Sequence, residues 1–84
     1  MVLHQIELFK DGTPKMIRGA YAQFLCIEEN NGKVYLYALE DAENKPQRTW
    51  YFSPMMENID SAKWQYFDSV KVDGRIKLYF MMEG

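Results

Sequence analysis

A lone histidine, His4, and a lone cysteine, Cys26, set the limits on nucleophilic and metal chemistry in this chain of 84 residues. A Ser–His–Asp or Cys–His arrangement needs His4 beside Cys26 or a serine, and no recognisable motif surrounds any of them. A zinc site needs three or four ligands, whereas histidine and cysteine together supply two here. Cys26 sits in the apolar run FLCIE and reads as a small buried hydrophobe, and His4 reads as a strand-rim histidine. No disulfide can form within the chain, and no catalytic or metal-ligating residue is assigned.

Carboxylates are more plentiful. Glu28 and Glu29 precede a turn, Glu40, Asp41 and Glu43 share a polar stretch, and Asp60 and Asp68 flank an aromatic cluster. A glycosidase-type pair needs two carboxyls facing across a cleft, which so short a chain is poorly able to build. The run EDAEN lacks the spacing and the glycine of a calcium loop. Asp68, between Phe67 and Ser69, is expected to accept hydrogen bonds from a neighbouring turn rather than to do chemistry. Gly12, Gly19, Gly32, Gly74 and Gly84 are isolated, so no phosphate-cradling loop is present and no cofactor is expected. The chemistry-bearing residues therefore point away from catalysis.

The elements that must position these residues are strands. VLHQIELF alternates, with Val2, His4, Ile6 and Leu8 forming the more apolar, inward side. DGTP breaks the pattern at Asp11–Pro14, and AYAQFLCIEE (Ala20–Glu29) is the next strand. Asn30–Gly32 marks a hairpin that returns through KVYLYAL, Lys33–Leu39. A solvated connection, Glu40–Pro46, leads to QRTWYFS, stopped by Pro54. PMMENIDSAK (Pro54–Lys63) is a loop or at most one helical turn, and WQYFDSVKV and RIKLYFMM close the chain as a hairpin at Asp73–Gly74. A three-residue loop, Val72-Asp73-Gly74, pairing Lys71 with Arg75, is expected there. It sets Tyr66, Val70, Ile76, Leu78 and Phe80 on one face and Ser69, Lys71, Lys77 and Tyr79 on the other. The expectation is one all-β domain over residues 1–84, a small antiparallel sandwich or barrel of five or six strands.

A chain of this size hides only about 60 % of its unfolded surface. It carries 13 aromatics and six methionines, more than so small an interior easily hides. The surplus is expected to be covered by a partner, commonly a second copy. The aromatics gather in WYFSP (Trp50–Pro54) and WQYF (Trp64–Phe67). Neighbouring strand residues face opposite sides, so consecutive aromatics cannot all enter one core. Trp50, Tyr51, Phe52, Trp64, Tyr66 and Phe67 are accordingly the candidate protein-interface residues, with the outward members of both clusters forming one patch. The alternative is that all 13 are core or half-buried strand residues. Single-strand nucleic-acid binders also expose strand aromatics, but beside a basic groove. A net charge of −2 and scattered Lys and Arg argue against nucleic acid as a partner.

MVLHQIELFK has no signal-peptide pattern, and no apolar run approaches about 18 residues, so neither secretion nor a membrane span is expected. The chain is expected to be a complete, soluble domain that folds reduced or leans on assembly.

RGAYAQFLCIEENNGKVYLYAL and WQYFDSVKVDGRIKLYFMMEG together have a rhythm that resembles small β-rich virion proteins of bacteriophages. In those proteins a strand after Arg-Gly leads into a hairpin, and a late Phe-Asp-x-Val strand precedes the last one. The matching residues are Arg18, Gly19, Phe67, Asp68 and Val70. The resemblance implies a capsid, vertex or tail accessory protein that self-assembles and does not catalyse. It also implies copies of itself or other virion proteins as partners, in the virion or in the host cytoplasm before assembly. A small phage- or bacterium-encoded binding module that inhibits a host protein is the competing expectation.

Overall fold

Period-two alternation sets the first strand, β1 (Val2–Leu8): Leu8 is buried and His4 and Ile6 half-buried, while Leu3, Gln5 and Glu7 stay exposed. The computed structural model describes residues 1–54 and 63–84. Six further strands follow: β2 (Lys15–Gly19), β3 (Tyr21–Asn30), β4 (Lys33–Glu40), β5 (Arg48–Pro54), β6 (Gln65–Val72) and β7 (Arg75–Glu83). They form two antiparallel sheets, β1-β4-β3 and β2-β5-β7-β6, and the described residues contain no helix. The architecture is an open sandwich and not a closed barrel. The loop or helical turn expected at Pro54–Lys63 falls on residues 55–62, outside the described residues.

Among the described residues seven strands replace the five or six expected, because β2 has too few residues to show a period. It buries Ile17 and Gly19 and turns Met16 and Arg18 outward. Gly19 is required by its neighbour: a Cβ there would lie 2.6 Å from the Tyr21 ring.

Both hairpins stand where the Gly-containing turns put them. Asn31 and Gly32 have φ of 54° and 78°, and Asp73 and Gly74 have 53° and 75°. Two consecutive left-handed residues make a tight two-residue turn whose twist suits antiparallel strands. At Asp73–Gly74 this corrects the expected three-residue loop: Val72 pairs with Arg75 and Lys71 with Ile76. The rows exchange faces in consequence. Tyr79 is fully buried, whereas Ile76 is 71 % exposed and Tyr66 51 % exposed. The inward row tolerates Arg75 and Lys77 because they lie beside the turn, where Arg75 is exposed and Lys77 half-buried. A bulge between Tyr66 and Asp68 then shifts the register within β6 and makes Phe67 the extra residue.

Leu8, Ile17, Ile27, Val34, Leu36, Trp50, Phe52, Val70, Val72 and Tyr79 form the core between the sheets. Phe24 packs edge-on to Trp50 and Phe52, at centroid distances of 5.0 Å and 4.9 Å. Polar ties hold the sheets at their margins. Asp68 Oδ2 accepts the N–H of Ile27 at 2.8 Å, joining the edges of β6 and β3. The donor is thus a strand of the other sheet and not a neighbouring turn, as the sequence had suggested. Tyr79 Oη donates to the Phe9 carbonyl at 2.9 Å, and Ser53 Oγ to that of Gly12 at 3.2 Å, fastening the β1–β2 connection.

Candidate protein-contact face

The outward face of the four-stranded sheet follows from strand register. Met16 pairs with Tyr51, and Tyr51 with Met82. Across the other half of the sheet, Tyr66 pairs with Phe80, Ser69 with Leu78 and Lys71 with Ile76. Directly opposed residues share a face, so one surface carries Met16, Tyr51, Met82, Phe80, Tyr66, Leu78 and Ile76, with Ser53 opposite Phe80 fully buried under the β1–β2 connection. Met16 is 59 % exposed and, with Tyr66 and Ile76, is among the most exposed large apolar residues of the chain. Tyr51, Leu78, Phe80 and Met82 are half-buried. Tyr66 meets Phe80 edge-on with centroids 5.9 Å apart, so the surface has fixed aromatic shape.

The electrostatics of this face are one-sided. Arg18 and Lys71 project from β2 and β6, and Arg18 Nη1 donates to Thr49 Oγ1 at 2.9 Å. Among the described residues no carboxylate lies on it, although the chain as a whole is net acidic. The opposite outer surface differs. There Tyr35 pairs with Glu7 on one side and Glu28 on the other, and Gln5 Nε2 donates to Tyr37 Oη at 2.9 Å.

Of the six candidate interface residues, the fold brings Tyr51 and Tyr66 to this face, separated by β7. Trp50 and Phe52 are 7 % and 0 % exposed and belong to the core, so these two cannot touch a partner. Phe67 packs half-buried against Phe52 at 5.4 Å, and Trp64 lies half-buried just before β6. The parity rule for consecutive aromatics therefore holds, and it separates the two halves of each cluster. The sequence reading missed Met16, Ile76, Leu78, Phe80 and Met82 as surface residues. For the last four the signal was the Ile-x-Leu-x-Phe-x-Met alternation of β7, which marks one apolar row without saying which way it faces, while Met16 on the short β2 gave none.

His4 Nε2 lies 2.9 Å from Glu40 Oε1. Burial, with Glu28 and Asp68 nearby, pushes the Cys26 thiol up, away from the reactive thiolate. A cleft of about 460 Å³ opens beside Tyr21, Phe24 and Trp50, and the Glu83 carboxylate that lines it pairs with Arg48 at 3.5 Å. Among the described residues no three metal-ligating side chains converge.

No protein-family model, curated protein or solved structure matches the chain.

Proposed function

We propose that this protein is a non-catalytic assembly protein that works through protein–protein contacts, with the outer face of the β2-β5-β7-β6 sheet as its contact surface. The observation that carries the reading is the outward apolar row of β7, Ile76, Leu78, Phe80 and Met82, continued by Tyr51, Met16 and Tyr66 on its neighbours. Isolated exposed apolar residues are ordinary on a monomer. A sheet face that gathers them, rich in Met and Tyr and free of carboxylates among the described residues, has the composition of an interface centre. The resemblance to phage virion proteins extends the proposal to a capsid, vertex or tail accessory component, with copies of itself or other virion proteins as partners.

The test pairs a stability measurement with a sizing measurement. Tyr66→Lys should leave the melting temperature within a few degrees of wild type and reduce association. Phe52→Ala should instead cost about 3–5 kcal/mol of stability, as a core truncation does. A Tyr66→Lys protein that is folded and associates as wild type would remove the outer face from the contact.

A further inference from the structure

Among the described residues the two sheets leave four strand edges, and three of them are protected. The edges of β3 and β6 face each other and are joined by the Asp68–Ile27 hydrogen bond. β2 is five residues long, follows Pro14 and carries Lys15 and Arg18, which are the usual devices against stray pairing. β1 has none of these. It runs for seven residues without Lys, Arg, Pro or Gly, and among the described residues it pairs with β4 alone. Val2 and Leu3, at its start, are 56 % and 58 % exposed. An edge of free N–H and C=O groups accepts only another extended backbone.

We infer that the free edge of β1 takes the β1 strand of a second copy, antiparallel and about a two-fold axis through Gln5. Only that register lets all seven residues pair. Val2 then opposes Leu8 of the second copy, Leu3 opposes Glu7, His4 opposes Ile6 and Gln5 opposes itself. Each opposed pair keeps its face: the inward row Val2, His4, Ile6, Leu8 meets itself, and so does the outward row Leu3, Gln5, Glu7. No like charges stand directly opposite. The product is a continuous six-stranded sheet, β3-β4-β1 joined to β1-β4-β3, with an isologous interface. A single strand edge buries less than the roughly 1,000 Å² of a stable interface. The pairing is therefore concentration-dependent on its own and adds to the contact at the outer face of the other sheet, a surface it does not share.

Cross-linking reads the register. In a Cys26→Ser background, Gln5→Cys places the two introduced thiols opposite each other, about 4.5–5.5 Å apart at Cβ. That is within or just above the span a disulfide bridges. Leu3→Cys places its two thiols roughly four residues apart along the strands, beyond that span. Mild oxidation should give a covalent dimer from Gln5→Cys and not from Leu3→Cys, at the wild-type melting temperature in both. A monomeric Gln5→Cys, or equal cross-linking of both variants, overturns the inference. A second arm uses charge. Gln5→Lys and Gln5→Glu should each weaken self-association by up to about fivefold, and a one-to-one mixture should restore it. A mixture that stays as weak as either variant also overturns it. Repeating the Gln5→Cys cross-link with Ile76→Lys separates this contact from the sheet-face contact, since the cross-link should persist when the face is spoiled.

Discussion

Asp68 and Tyr79 show how single polar groups fix the relation of the two sheets. Asp68 accepts the Ile27 N–H across the seam with Oδ2 and the Ser69 N–H with Oδ1, both at 2.8 Å. Asp68→Ala strands a part-buried N–H, at a cost of about 1–3 kcal/mol. Thermal melting should fall by about 4–8 °C for each kcal/mol in a domain of this size. Asp68→Asn retains an acceptor and should lose less. Tyr79 gives a pH-dependent signature. Its ordinary phenol value of 10.0 is pushed up to about 12, by burial first and then by the Asp11 carboxylate. The unfolded chain therefore loses this proton before the folded one does. The contribution is full below about pH 10 and is lost as pH rises to about 12, at up to about 1.4 kcal/mol per pH unit. Denaturation midpoints of Tyr79→Phe should decline less over that window than those of wild type. An equal decline would place the alkaline sensitivity elsewhere.

At the scale of elements, the hairpins were the most legible part of the sequence. Asn31-Gly32 and Asp73-Gly74 supply the two left-handed residues that a tight turn needs, and little else competes for such dipeptides. Gly74→Ala should cost about 1 kcal/mol from backbone strain alone, because no other atom lies within 4 Å of a Cβ built there. A larger loss in chemical denaturation would mean the hairpin register had shifted. The inward row of β1 was also readable, since Glu7 and Gln5 fix its outer side. β7 was not readable. One of its rows holds Ile76, Leu78, Phe80 and Met82, and the other holds Arg75, Lys77, Tyr79 and Met81. Hydrophobic pattern favours burying the first row, yet the two-residue turn and the bulge at Phe67 bury Tyr79 instead. Alternation reports a period, and when both rows carry large side chains the turn geometry decides the face. The same ambiguity hid the outer face: parity says that consecutive aromatics split between two faces, but not that Tyr51 and Tyr66 are the outward members. β2 escaped because a single inward apolar residue, Ile17, defines no period.

Taken as a whole molecule, the chain spends its strongest apolar row outside. Burying those side chains in the core between the sheets would require the register slip that the Asp73-Gly74 turn prevents. A sheet face that is apolar and cationic, set against an acidic opposite face, gives the molecule two unlike sides, and association should respond to salt through the cations at the rim. Raising the salt should alter association modestly, because rim charges contribute less than the apolar centre. The outer face of the β2-β5-β7-β6 sheet is the proposed assembly surface. Sedimentation velocity over a concentration series, comparing wild type with Ile76→Lys, measures this directly. Ile76 is 71 % exposed, so the substitution leaves the fold intact, which the melting temperature checks. The wild type should self-associate and the variant should do so about 30-fold more weakly, the equivalent of about 2 kcal/mol at an interface anchor. A wild type that is monomeric at every concentration would contradict self-assembly, and a folded Ile76→Lys that associates as wild type does would contradict the outer face as its surface.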